Sequence, residues 1–256
     1  MTSSVLRRTL VLGITVAALA TSAAGCTTHA PGDIGRLQQV LETCPTDQQI
    51  NAKAAVDGTA TSKDDAIVRE HFKYLRGEIE RVAVCGGHIE IVAFGTNSVT
   101  SPIYESDLSI AGSTDIAKLR RVPDVVAEAM ADVTRTYEPA IAALPEGGTD
   151  VTGLLRLLSE AKELRPDMQL QATILTDGLT NQEVVIDRPL TVQEAEALAD
   201  QVPAPDLSGS TFSVVGIGRV AGDPLSSTFI DGLKAFYTRL CANTKAAQCL
   251  VVTDGR

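Results

Sequence analysis

Three short segments of this chain concentrate hard oxygen ligands. The first is Asp57-x-Thr59-x-Thr61, the second Gly148-Thr149, and the third Thr176-Asp177-Gly178. Asp57, Thr59, Thr61, Thr149 and Asp177 together offer two carboxylates and three hydroxyls, with no His or Cys among them. Such an all-oxygen set suits Mg²⁺ or Mn²⁺ rather than zinc. The neighbouring glycines allow the tight turns that let short side chains reach one point. Each piece also has a plain structural reading. Asp57 can simply end a strand, Thr59, Thr61 and Ser62 can cap a helix, and Asp177-Gly178 can be an ordinary turn.

The elements around these segments decide between the readings. Residues 49–56 alternate apolar and polar side chains, which predicts a strand ending at Asp57-Gly58. Ser62 and Asp65 have capping-box spacing before a helix whose apolar face is Ile67, Val68, Phe72, Leu75, Ile79 and Val82. Cys85-Gly86-Gly87 closes that helix, and 88–94 is a second, β-branched strand. Residues 99–111 read as a third strand, a hairpin partner of the second. A helix follows from Pro123 to about Leu144, with Pro139 a point of kinking or breakage. Asp150 is placed to cap a helix reaching about Leu164. The remaining expectations are a strand at 170–176, a helix capped by Thr191 and Glu194 to about Gln201, a strand at 211–217, a helix at 224–243 and a strand at 250–253. Alternating strands and helices predict a mainly parallel sheet covered on both faces, with ligands beyond the C-terminal strand ends. All three oxygen-rich segments fall at that edge.

The chain has 256 residues, 44% apolar and 21% charged, enough for one α/β domain with a sizeable core or two small ones. The formal charge of -10 argues against a nucleic-acid phosphate binder. Residues 1–25 read as an export signal: Arg7 and Arg8, a short apolar run over 9–20, then small residues. The run is too short to span a bilayer comfortably. Ala23-Ala24-Gly25-Cys26 resembles the lipobox of bacterial lipoproteins, although Ala23 stands where that family usually has Leu. The resemblance implies cleavage before Cys26 and lipidation of its thiol; a plain secretory signal is the alternative. Arg7-Arg8-Thr9-Leu10-Val11 also fits a twin-arginine signal loosely. Removal of residues 1–25, which hold two Arg and no acid, leaves a charge of -12. Residues 26–46 are then a tether and 47–256 the folded domain, on the outer side of the cell membrane.

The order and setting of the three segments resemble the von Willebrand factor type A domain and its metal-ion-dependent adhesion site, Asp-x-Ser-x-Ser, then Thr, then Asp. Asp57, Thr59, Thr61, Thr149 and Asp177 match those positions in turn, with Thr in place of both Ser residues. The likeness covers roughly 47–256. It implies a Rossmann-like, mainly parallel six-stranded sheet of order 3-2-1-4-5-6 with helices on both faces. It also implies a Mg²⁺ or Mn²⁺ ion that a carboxylate from a partner protein completes, which is adhesion chemistry and not turnover. Of the five cysteines, four remain beside Cys26, an even number suited to an oxidising compartment. In the resembled fold strands one and two are neighbours, which implies the disulfide Cys44–Cys85. Cys241, near a helix end, and Cys249, before the last strand, are close in sequence and are expected to pair with each other.

Two other classes compete. One is an accessory lipoprotein that keeps the fold without the ion. The other, weaker, is a hydrolase. Val56-Asp57-Gly58-Thr59 is similar to the loop of haloacid-dehalogenase-like phosphatases, but the nucleophile's position holds Ala55. The chain has no Gly-x-Ser-x-Gly elbow and no phosphate loop, and Gly216-x-Gly218-x-x-x-Gly222 has the wrong spacing for a dinucleotide fingerprint. His71 is expected at the surface beside Phe72, and His88 at a strand start without a partner.

Overall fold

The computed structural model describes residues 33–254. The signal sequence and Cys26 lie outside the described residues. In chain order the elements are α1 (Asp33–Glu42), β1 (Gln49–Asp57), α2 (Asp65–Cys85), β2 (Gly87–Phe94), β3 (Thr100–Leu108), α3 (Asp115–Leu119), α4 (Val122–Ala142), α5 (Val151–Leu164), β4 (Met168–Leu175), β5 (Thr180–Gln182), β6 (Val184–Ile186), α6 (Val192–Ala199), β7 (Thr211–Val215), α7 (Ser227–Asn243) and β8 (Gln248–Val252).

Six strands form one sheet in the order β3-β2-β1-β4-β7-β8, and β5 pairs β6 in a small separate hairpin. All neighbours in the large sheet are parallel except β2 and β3. Counting only its six strands, this is the expected order 3-2-1-4-5-6. One face packs on α5, α6 and α7 through residues such as Leu154, Leu158, Phe212 and Phe236. The other packs on α1 to α4 through Leu37, Leu75, Ile79, Val126 and Val133. Because both faces are covered, the polar residues inside β1, Asn51 and Lys53, are buried too and need partners. Asn51 donates to the Ala161 carbonyl at 2.8 Å, and Lys53 pairs with Glu90.

Several sequence expectations are corrected. Residues 33–42, inside the stretch read as a tether, form α1, whose Leu37 is fully buried against α2. The Ser62/Asp65 box does not form. Ser62 belongs to a 3-10 turn over Ala60–Ser62, and Asp64 caps α2 by accepting from the Ala66 amide. Pro139 leaves α4 unbroken, lying within its last turn. His71 is buried, because it falls on the same helical stripe as Ile67, Leu75 and Ile79. His88 has partners: antiparallel pairing sets it opposite Asp107, whose Oδ1 is 2.7 Å from its Nδ1. The Thr191/Glu194 capping box and the Asp150 cap form as expected. The cysteines pair as Cys44–Cys85 and Cys241–Cys249. Among the described residues no helix is long and apolar enough to cross a membrane.

Candidate metal centre

Strand order reverses between β1 and β4, whose outer neighbours lie on opposite sides, and the crevice at such a point is where open α/β sheets place ligands. The register sets Val56 beside Leu175, so Asp57 leaves β1 next to Thr176, the first residue beyond β4. Asp57 is 1% exposed. Its Oδ1 accepts from the Thr59 amide at 2.9 Å and the Thr59 hydroxyl at 2.7 Å, and its Oδ2 from the Thr176 hydroxyl at 2.7 Å.

The middle segment, between α4 and α5, reaches the same point. The Thr149 hydroxyl donates to the Thr59 hydroxyl at 3.2 Å, extending the chain that ends on Asp57. The β5 segment holds this loop. Asn181 Oδ1 accepts from the Thr149 amide at 3.0 Å, and the Thr180 hydroxyl donates to the Thr149 carbonyl at 2.9 Å. A Cβ on Gly148 would stand 1.4 Å from Asn181 Oδ1, so a larger residue before Thr149 would push the Asn181 side chain off the Thr149 amide.

Asp177 is also 1% exposed. Its Oδ1 accepts from the Leu179 amide at 2.8 Å, which fixes the carboxylate in a turn closed by Gly178 at φ +87°. The Tyr237 hydroxyl donates to the Gly178 carbonyl at 3.1 Å and anchors that turn to α7. Asp177 Oδ2 is buried without a well-formed hydrogen bond, although the Thr61 side chain lies close enough to favour its charged form. Ser62 Oγ, beside Asp57, is likewise buried without a well-formed partner.

Electrostatics bind the two carboxylates into one unit. Burial pushes Asp57 above the ordinary range, against the pull of its hydroxyl and amide donors. Burial, and then the charge on Asp57, push Asp177 up to about 6. Two buried acids, one of which raises the proton affinity of the other, form a place where positive charge is welcome.

All five sequence-predicted residues therefore gather at one edge. Asp57, Thr59 and Thr149 are joined by hydrogen bonds, Thr61 lies against Asp177, and Asp177 feels the charge of Asp57. The sequence alone assigns no role to Thr176, which clamps the second oxygen of Asp57, or to Ser62 as a neighbour of that carboxylate. Parallel pairing of β1 with β4 is the signal that finds Thr176. Among the described residues no cluster of three or more His, Cys, Asp or Glu could hold a metal. An ion at this point would have to be held by two carboxylates and hydroxyls. The buried, unpartnered oxygens of Asp177 and Ser62 fit that donor set.

A scan of protein-family models and a comparison with curated proteins find no match. Among solved structures the chain is similar to BatB from Bacteroides thetaiotaomicron, at 12% identity and a TM-score of 0.46, over 81% of this chain and 91% of that one. A von Willebrand factor type A protein from Catenulispora acidiphila aligns at 14% identity and a TM-score of 0.40, over 80% of this chain and 38% of that one. The manganese-loaded TRAP protein of Plasmodium vivax aligns at 16% identity and a TM-score of 0.37, over 73% and 63% of the respective chains. The chemistry of the site is read from its own side chains.

Proposed function

We propose that this chain is an exported, lipid-anchored protein of the cell envelope that binds a partner protein through a divalent cation. Asp57, Thr59, Thr61, Thr149 and Asp177 would hold Mg²⁺ or Mn²⁺, with Thr176 and Ser62 supporting Asp57. The observation that carries this reading is the buried Asp57–Asp177 pair, in which Asp177 Oδ2 has no well-formed hydrogen bond. Neutral hydroxyls cancel none of an ion's charge, so a bound ion would offer positive charge to a partner's carboxylate. We assign no catalysis to this site. The anchor rests on Ala23-Ala24-Gly25-Cys26.

A second reading, the same fold without metal, draws on a specific observation. The hydroxyls of Thr149 and Thr59 already satisfy each other and Asp57. Thermal melts separate the two. Mg²⁺ or Mn²⁺ should raise the melting temperature of the wild type and not of Asp57→Ala, since a ligand of the native state stabilises it. No shift in the wild type favours the metal-free reading. Intact-mass analysis tests the anchor: a diacylglycerol adduct on Cys26 supports it, and a free secreted N-terminus refutes it.

A further inference from the structure

The two edges of the sheet are built differently. Edge strands offer unpaired backbone groups, and proteins usually blunt them with proline, charge or irregular pairing. Strand β3 has all three: Pro102, the acids Glu105 and Asp107, and a register slip opposite Ile91/Val92. Strand β8 has none. Residues 246–253 contain no charged side chain and no proline, and Leu250 is 49% exposed.

The free groups on β8 follow from its pairing with β7. The Val252 carbonyl accepts from the Gly216 amide at 3.0 Å, on the β7 side. Along a strand the amide and carbonyl of alternate residues point to opposite edges, so Cys249 and Val251 present theirs outward. Their side chains face α7: Cys249 is disulfide-bonded to Cys241, and Val251 packs on the α7-side core. Val252 packs on the other face, which Leu250 shares by alternation. The disulfide and this packing hold the edge rigid.

We infer that β8 is a self-association edge, pairing antiparallel with β8 of a second copy about a two-fold axis through Leu250. That register is self-complementary. Cys249 of one copy meets Val251 of the other, so the two outward-facing residues exchange both hydrogen bonds, twice over. Leu250 meets its own copy in the close, non-hydrogen-bonded position, at roughly 4.5 Å between Cα atoms. The same register brings Asp254 at the end of one strand to the Lys245 turn of the other, so opposite charges stand at both rims of an uncharged strand, each also meeting a charge of its own chain, Arg219 and Asp206 respectively. A second copy is the occupant these features fit, because one register pairs the outward backbone groups, covers the exposed Leu250 and sets opposite charges, and no like ones, at both rims. A five-residue edge falls short of the roughly 1,200 Å² of a standard interface, so the dimer is weak and concentration-dependent.

Sedimentation equilibrium of the full mature chain, in a density-matched detergent, tests this with Leu250→Lys and Leu250→Glu. Leu250 is half exposed, so both variants should fold, and circular dichroism checks that they do. The wild type should show a monomer–dimer equilibrium. Each variant alone should associate about tenfold more weakly or worse, because like charges then stand directly opposite each other. An equimolar mixture of the two should dimerise again. That rescue requires position 250 to meet itself across the axis. A wild type that stays monomeric throughout, variants that dimerise as well as the wild type, or a mixture that stays monomeric would each overturn the inference.

Discussion

Asp57 and Asp177, at the ends of neighbouring strands β1 and β4, are a buried pair in which neither carboxylate is at ease with its charge. Burial raises both, and the charge on Asp57 adds to the rise of Asp177 to about 6. A raised carboxylate pKa means the folded protein binds the proton more tightly than the unfolded chain. The associated stability is fully present below the ordinary value of 3.8 and is lost as pH rises through about 6. At neutral pH and without metal, ionised Asp177 is therefore a cost. Asp177→Asn should stabilise the protein in chelator by on the order of 2 kcal/mol near pH 7, and the gain should vanish towards pH 4. With saturating Mg²⁺ the order should reverse. Urea unfolding across pH, with and without the ion, measures both.

His71 acts in the opposite sense. Burial lowers its pKa from 6.5 to about 4, and its Nδ1 has no hydrogen-bond partner. The unfolded chain then takes up the proton first, so stability present above 6.5 is lost as pH falls towards 4. His71→Phe, which keeps a ring on the buried stripe, should gain on the wild type by about 2 kcal/mol between neutral pH and pH 5. Urea midpoints for the two proteins check this, and parallel pH profiles would contradict it.

The two disulfides close loops of unequal length, with separations of 41 and 8 residues. Chain entropy then assigns about 4 kcal/mol to Cys44–Cys85 and about 2.5 kcal/mol to Cys241–Cys249. Paired Cys→Ser variants should lose stability in that order by chemical denaturation. Cys44–Cys85 also fastens the end of α1 to the end of α2, so its removal should release α1 first in hydrogen exchange.

Much of this arrangement is legible in the sequence because polar and glycine residues punctuate the ends of strands. Asp57-Gly58 and Asp177-Gly178 each stop an apolar run, and Asp150 and Thr191 cap the helices that they precede. Helix α1 is hidden because it is short and buries few side chains, Leu37 foremost, so its stability comes from packing on α2 and not from its own pattern. The β5–β6 hairpin has three-residue strands, too short for any alternation to register. His71 sits at four-residue spacing from Ile67 and Leu75, and its polarity masks a core position. Thr176 and His88 gain their partners only through strand pairing, which a linear sequence does not display.

The central claim is that one divalent cation is held by Asp57, Thr59, Thr61, Thr149 and Asp177. Isothermal titration calorimetry with Mg²⁺ and Mn²⁺ tests it most directly. The wild type should bind one ion per chain. Asp57→Ala and Asp177→Asn should abolish binding while remaining folded. Thr59→Ser should retain it or tighten it, since the hydroxyl stays and loses the stiffness of a β-branched side chain. Absence of heat with either ion in the wild type, or binding unchanged by the loss of Asp57, would contradict the account.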